Sequence, residues 1–480
     1  MLFNSFEFLW FLPLLFLLYW GIALWKGWKD KVFKCGRWSN SFLLLVSYLL
    51  YAKWNPVLTL VLLEVTMVTY FFAIKLEDKK SIATIRNRKL IIWLGLLLST
   101  SPLLLFKYYN FFNDSVNDIL LPLGFQIGLP GLNWAIPIGI SFYSFMAIGY
   151  LVDVYYERIK AERNLWDYML FISFFPQITS GPISKASSLL PQIKSERTFD
   201  YNQAVSGCRY ILWGMFLKVV LADRLGIHVD TVYASYEVQS GTSLFLASIF
   251  YTLQIYGDFA GYSYMAVGVG KLMGFNLINN FEQPYFSSSI TEFWHRWHIS
   301  LSIWLKDYVY IPLGGSKCSK VRNYFNIMVT FLISGIWHGA NWTFIIWGAL
   351  HGLYQVIEKM LGIQKASDKT YVKLPRILIT FLLVNLAWIF FRMPSLETSI
   401  NVFEHILTNR GGQFLRPVMF PVTMSVGTLF IYEVLTEFFP TISSYLRSKL
   451  VIRWIVYVML TAMIVSYGVL DAGQFIYVSF

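Results

Sequence analysis

Four of the six histidines fall between residues 295 and 351: His295, His298, His338 and His351. An imidazole can take up a proton near neutral pH, donate a hydrogen bond or ligate a metal. In a strongly apolar chain such residues are functional candidates by default, because ionisable groups at membrane depth are costly. His338 ends the run Gly335-Ile336-Trp337-His338-Gly339-Ala340-Asn341-Trp342. Residues 323 to 337 would rise only about 22 Å as a helix, short of a hydrocarbon core of about 30 Å. The turn that follows is therefore expected to lie within the membrane, where irregular backbone is tolerated only inside protein or against a cavity. Gly339 would permit the turn, and His338 at its tip would face the cavity. The plainer alternative is a histidine that caps a helix or bonds a backbone carbonyl.

The second constellation is Phe293-Trp294-His295-Arg296-Trp297-His298-Ile299-Ser300-Leu301-Ser302, followed by Lys306-Asp307-Tyr308 and Ile311-Pro312-Leu313-Gly314-Gly315. On a continuous helix His295 and His298 share a face, which suits a metal, a hydrogen-bond relay or an amphipathic surface helix. Metal is disfavoured, because the segment lacks the paired histidines and glutamate of a zinc peptidase and no cysteine is close. Asp258, in Gly257-Asp258-Phe259-Ala260-Gly261-Tyr262, stands within an apolar span. It reads either as part of a polar site or as a helix–helix hydrogen bond beside close-packing glycines. No nucleophile elbow, P-loop or dinucleotide fingerprint appears. Cys35, Cys208 and Cys318 are too scattered for a disulfide framework or a zinc site.

The elements that must position these residues are membrane helices. Of 480 residues, 56% are hydrophobic and 14% charged, whereas soluble domains carry about 25% charged residues. Apolar stretches recur from end to end, giving an all-α multi-pass membrane protein of about eleven membrane segments, read as a single membrane-embedded domain over 1–480. Aromatic residues make up 19%, which suits interfacial belts and a packed interior.

Lys and Arg collect in Lys26–Arg37, Lys75–Lys89, Arg158–Arg163, Lys306–Arg322 and Lys359–Arg376, while 108–156 has neither and is expected to hold an external loop broken by Gly and Pro. Cytoplasmic loops concentrate such residues, so the N-terminus is expected outside, and basic inner loops beside anionic lipid explain the net charge of +12 without nucleic acid.

Trp294 to Ser302 with Tyr308 to Gly315, and Gly335 to Ala340, closely resemble the two signature regions of bacterial membrane-bound O-acyltransferases, in the branch that O-acetylates alginate and peptidoglycan. Further matches are Pro137 to Phe142, Phe175-Pro176-Gln177 with Ser180-Gly181-Pro182, Asp258 to Tyr262, Trp388 to Arg392 and Phe475-Ile476-Tyr477. Tyr264 departs from the pattern, where that branch often has Asp. The resemblance implies tilted helices around a central tunnel, with short re-entrant and interfacial helices, in the bacterial cytoplasmic (inner) membrane. It assigns the main active-site histidine to His338 and the second active-site residue to His298, with His295 in support. Trp294, Arg296, Trp297, Trp337, Asn341, Asp258 and Gln177 would support the site or line the tunnel. No bound cofactor is implied. Acetyl-CoA would be the acyl donor, and a cell-envelope polysaccharide or an extracytoplasmic partner acetyltransferase the acceptor. His338 would act as base, with His298 either bonding the developing oxyanion or orienting the acyl group. D-alanyl transfer to teichoic acid and a non-catalytic polysaccharide or lipid transporter are the competing readings.

Overall fold

Where no water is present to satisfy backbone N–H and C=O groups, a long apolar stretch must bond to itself, and helix dominates this chain. The computed structural model describes residues 3–27, 34–78, 85–125, 129–364, 370–411 and 419–470. Part of the first two basic blocks (Lys29, Lys31, Lys79, Lys80) and Phe475-Ile476-Tyr477 lie outside them.

In chain order the helices are α1 Phe6–Gly27, α2 Arg37–Trp54, α3 Leu58–Glu77, α4 Ile85–Leu103, α5 Tyr109–Leu120, α6 Ile140–Tyr155, α7 Leu165–Ser173, α8 Ala186–Lys194, α9 Tyr201–Met215, α10 Asp223–Ala234, α11 Gly241–Leu272, α12 Ile290–Arg296, α13 Ile299–Leu305, α14 Lys320–His338, α15 Trp342–Leu361, α16 Thr370–Arg392, α17 Leu396–Thr408, α18 Met419–Phe438, α19 Pro440–Ser448 and α20 Leu450–Tyr467. Among the described residues six helical segments are long and apolar enough to cross a bilayer: Phe6–Ala23, Leu58–Glu77, Arg86–Leu123, Tyr201–Ala234, Tyr371–Arg392 and Leu450–Tyr467. Phe420–Phe438 with Pro440–Ser448, bent by 113°, makes a seventh if taken as one span. The expected tally of about eleven also included α2, α6, α11 and the α14–α15 hairpin, which lie outside that group. The stretch after Tyr108 differs from the loop expected there. It is helical as α5, with Asp114 and Asp118 on it, because the Pro and Gly residues that break it begin only at Pro122 and Gly124.

The described chain divides into two compact units, essentially 7–207 with 269–278, and 208–268 with 279–480. In the first, α3 packs on α4 and α6, and α7 on α2 and α8. Tyr150 and Tyr168 pack at 4.6 Å between ring centroids, and the Tyr168 hydroxyl bonds Thr69 Oγ1 at 2.6 Å. A two-residue antiparallel pair, Lys34–Cys35 with Arg197–Thr198, brings in the buried Arg197. Its Nε donates to the Tyr19 hydroxyl at 3.1 Å, and its guanidinium lies 4.2 Å from the Phe275 ring centroid. The second unit contains all four clustered histidines and the whole α14–α15 hairpin.

Candidate active site

The site starts from how α14 is anchored. Ser319 caps it, accepting from Arg322 N. The buried side chains of Asn323 and Asn326 donate to the Gly315 carbonyl at 2.8 and 3.1 Å. From there α14 runs 19 residues to His338, about 28 Å, longer than the run counted from sequence. The hairpin arm thus nearly matches the hydrocarbon core, and its length does not require a turn at mid-depth. His338 is the last residue of the helix rather than the tip. The tip is Gly339-Ala340-Asn341, where Asn341 caps α15 by accepting from Thr343 N and donates to Pro394 O at 2.8 Å.

Close approach of the two arms places His338. A Cβ on Gly335 would fall 2.3 Å from Phe344 O, and one on Gly348 would fall 2.4 Å from Phe331 O, so each helix lies almost backbone to backbone against the other. Gly339 is extended, with φ −169°, and thus does not supply a turn conformation; its missing Cβ leaves room for the Phe344 ring, which would otherwise be 2.2 Å away. His338 is 2% exposed, so it does not stand in an open cavity. It lies in an aromatic box, with centroids of Trp337, Trp347 and Phe391 at 4.8, 4.9 and 5.2 Å.

The other signature segment breaks where a continuous helix was expected. α12 ends at Arg296 and α13 begins at Ile299, with His298 between them at φ 43°, ψ 54°. Left-handed backbone in a non-glycine residue costs about 1–3 kcal/mol and persists only where the surroundings impose it. Here Asn280 imposes it: its carbonyl accepts from Ile299 N at 3.0 Å and its side-chain oxygen from Ser300 N at 3.1 Å. At the other end, Ser289 caps α12 and the Glu358 carboxylate of α15 accepts from Ile290 N and Thr291 N.

The break separates the two histidines of this segment. His295 is exposed, while His298 is fully buried, edge-on to Phe259 at 4.5 Å and 5.9 Å from Trp337. The Trp337 indole therefore lies against both His298 and His338.

The remaining candidates have identifiable work. Arg296 pairs with Glu292 at 2.6 Å and with Glu437 at 2.7 Å, and Lys373 joins Glu437 at 2.9 Å. Burial alone would lower the Arg296 pKa, but the bonds and charges of Glu437 and Glu292 outweigh it and hold the guanidinium above its ordinary value. Trp297 is fully buried, stacked on Phe293 at 5.5 Å and 5.2 Å from Trp388. Trp294 Nε1 donates to His351 Nδ1 at 3.2 Å. Asp258 matches the helix–helix reading: Lys218 Nζ lies 2.6 Å from it and 2.7 Å from Asp223, and Gly257 and Gly261 lie against the backbone at Leu217 and Gly214. Gln177 lies in the first unit, buried, donating to Ser184 Oγ. Among the described residues no group of three or more His, Cys, Asp and Glu stands close enough to hold a metal ion.

The family model for membrane-bound O-acyltransferases matches residues 4–397. The chain belongs to that family. It is accordingly a multi-pass membrane acyltransferase, and its relatives are bacterial. It is 39% identical over 84% of its length to the probable alginate O-acetylase AlgI of Pseudomonas aeruginosa, covering 76% of that protein. It is 34% identical over 86% of its length to a peptidoglycan O-acetyltransferase of Helicobacter pylori, covering 80% of it. A teichoic acid D-alanyltransferase of Streptococcus thermophilus is 28% identical over 64% of this chain and is covered to 76%.

In this acyltransferase, sequence reasoning gave no role to His351 or Trp388 and passed over Trp347 and Lys218. His351, with Trp347 four residues before it on α15, was visible only as one more histidine in an apolar span. Trp347 gave no signal, since tryptophan is common wherever a membrane helix packs, and Trp388 was marked only as the start of a family-like string, without a role. Lys218 sits in a π-helical turn, Phe216–Ala222, inside an apolar stretch where a single lysine reads as a span end. The N–H groups of Trp347, Trp388 and His351 are buried without hydrogen-bond partners among the described residues, each a cost of about 1–3 kcal/mol if nothing accepts from it.

Proposed function

We propose that this acyltransferase moves an acetyl group from acetyl-CoA on the cytoplasmic side of a bacterial inner membrane, with the N-terminus outside, to a cell-envelope polysaccharide such as alginate or peptidoglycan. Delivery is direct or through an extracytoplasmic partner acetyltransferase. The observation that carries the reading is the Trp337 indole, which lies against two buried imidazoles, His298 and His338, at 5.9 and 4.8 Å. Two histidines from separate signature segments thus share one aromatic wall in a water-poor interior, where a positioned base and fixed dipoles act most strongly.

In this reading the acceptor hydroxyl gives its proton to His338 as its oxygen bonds to the acetyl carbon. The carbon–sulfur bond then breaks and the proton passes to the departing CoA thiolate. His298 orients the acyl group, Trp294, Trp297 and Trp337 form the walls, and Arg296 locks α12 through Glu292 and Glu437. His295, exposed on the last turn of α12 before the break, supports the segment from outside.

The names of the relatives with higher identity favour acetyl over D-alanyl transfer. Purified protein in lipid vesicles, given isotopically labelled acetyl-CoA and soluble alginate or peptidoglycan fragments, with and without a secreted acetyltransferase, is expected to release free CoA and pass label to the acceptor. Turnover restricted to a D-alanyl carrier thioester, or polymer passage without CoA release, would overturn the proposal.

A further inference from the structure

The aromatic box around His338 continues into a second shell that the proposed chemistry has not used. Trp347, which packs on His338, lies 4.9 Å from His351 and 5.5 Å from Trp388, and His351 and Trp388 are 6.4 Å apart between ring centroids. All three side chains are fully buried. Because Trp294 donates to Nδ1 of His351, the neutral ring carries its proton on Nε2. Nε2 of His351 and Nε1 of both indoles are buried nitrogens without an acceptor among the described residues. Three neighbouring rings thus present three N–H donors, while the nearby Phe293, Phe331 and Phe391 rings contribute no acceptor oxygen.

A buried polar group of this kind normally has a partner. Donors grouped without acceptors select an occupant that is acceptor-only. We infer that Trp347, Trp388 and His351 form a pocket for the carbonyl oxygen of the transferred acyl group. This rests on the proposed function and deepens it: His338 handles the proton, while the pocket takes the charge that grows on oxygen as the tetrahedral intermediate forms. The donors are neutral, so they do not raise the cost of holding an uncharged thioester, and they bond more strongly once that oxygen becomes anionic. Trp294 is a positioning residue here, because its bond to Nδ1 fixes the His351 tautomer that leaves Nε2–H as a donor.

The test compares two unreactive CoA compounds: the ketone in which a methylene replaces the sulfur of acetyl-CoA, and the same chain without the carbonyl. Binding of each to purified protein is measured for wild type, Trp347→Phe and Trp388→Phe, which keep an aromatic ring but lose the N–H. Wild type is expected to prefer the ketone by roughly tenfold or more, and each variant to lose about fivefold of that preference. Affinity for the carbonyl-free compound should stay unchanged, which reports an intact fold. With acetyl-CoA the same variants should raise KM by no more than about that fivefold and lower kcat as well, because the bonds to oxygen strengthen when it becomes anionic. An undiminished ketone preference in both variants would overturn the pocket and leave the proposed function standing. Failure of wild type to bind either compound would instead remove the CoA donor, and the pocket with it.

Discussion

His338→Gln is expected to reduce acetyl transfer about 10²- to 10⁴-fold, the range that a positioned general base supplies. KM for acetyl-CoA should stay within about threefold. Glutamine fills much of the same volume and stays polar, but it cannot take up a proton. The box of Trp337, Trp347 and Phe391, packed at 4.8 to 5.2 Å around the native ring, should therefore persist while the chemistry stops. The check is release of free CoA from acetyl-CoA in the presence of acceptor, together with a thermal unfolding midpoint to show that the loss is chemical. Turnover within tenfold of wild type would mean that another group accepts the proton.

Gly348→Leu should have the largest effect on the fold. The atom that a new Cβ would meet at 2.4 Å is the backbone oxygen of Phe331, and the Gly335 backbone is 3.2 Å away, so no side-chain rotation relieves the clash. The α14–α15 arms must separate, and with them His338 from Trp347. Overpacking usually costs about 1–3 kcal/mol and occasionally more; because every opposing atom is α14 backbone, the upper end or beyond is expected here. The measurement is the yield of monodisperse protein in detergent and its unfolding midpoint beside wild type. Leucine at Gly427, where an added Cβ meets nothing within 4 Å, should leave both nearly unchanged.

These expectations show what the residue string carries by itself. His338 and His298 were legible because an imidazole in an apolar chain is conspicuous, and both proved buried in one unit. The all-helical character was equally legible, since long apolar stretches leave little alternative. The break at His298 was not. Residues 290–305 contain no Pro or Gly, and the interruption is imposed by Asn280, which lies outside the segment. A continuous helix would have put His295 beside His298; the break leaves one exposed and the other buried. The length of α14 was misread for a related reason. Its first turn, begun by the Ser319 cap, is polar and looks like loop, although it is helix. Gly339 was recognised as special but for backbone freedom, whereas the requirement is space for the Phe344 ring. Lys218, paired with Asp258 and Asp223, was hidden because pairing across helices leaves no local pattern.

The central claim is that His298 and His338 serve one reaction centre on either side of Trp337. A double-mutant cycle tests it most directly: CoA release is measured for His298→Ala, His338→Ala and the combined variant. Groups that act as a unit are strongly non-additive, so the combined variant should turn over within about threefold of the slower single variant. Losses that simply multiply would show two independent sites and contradict the account.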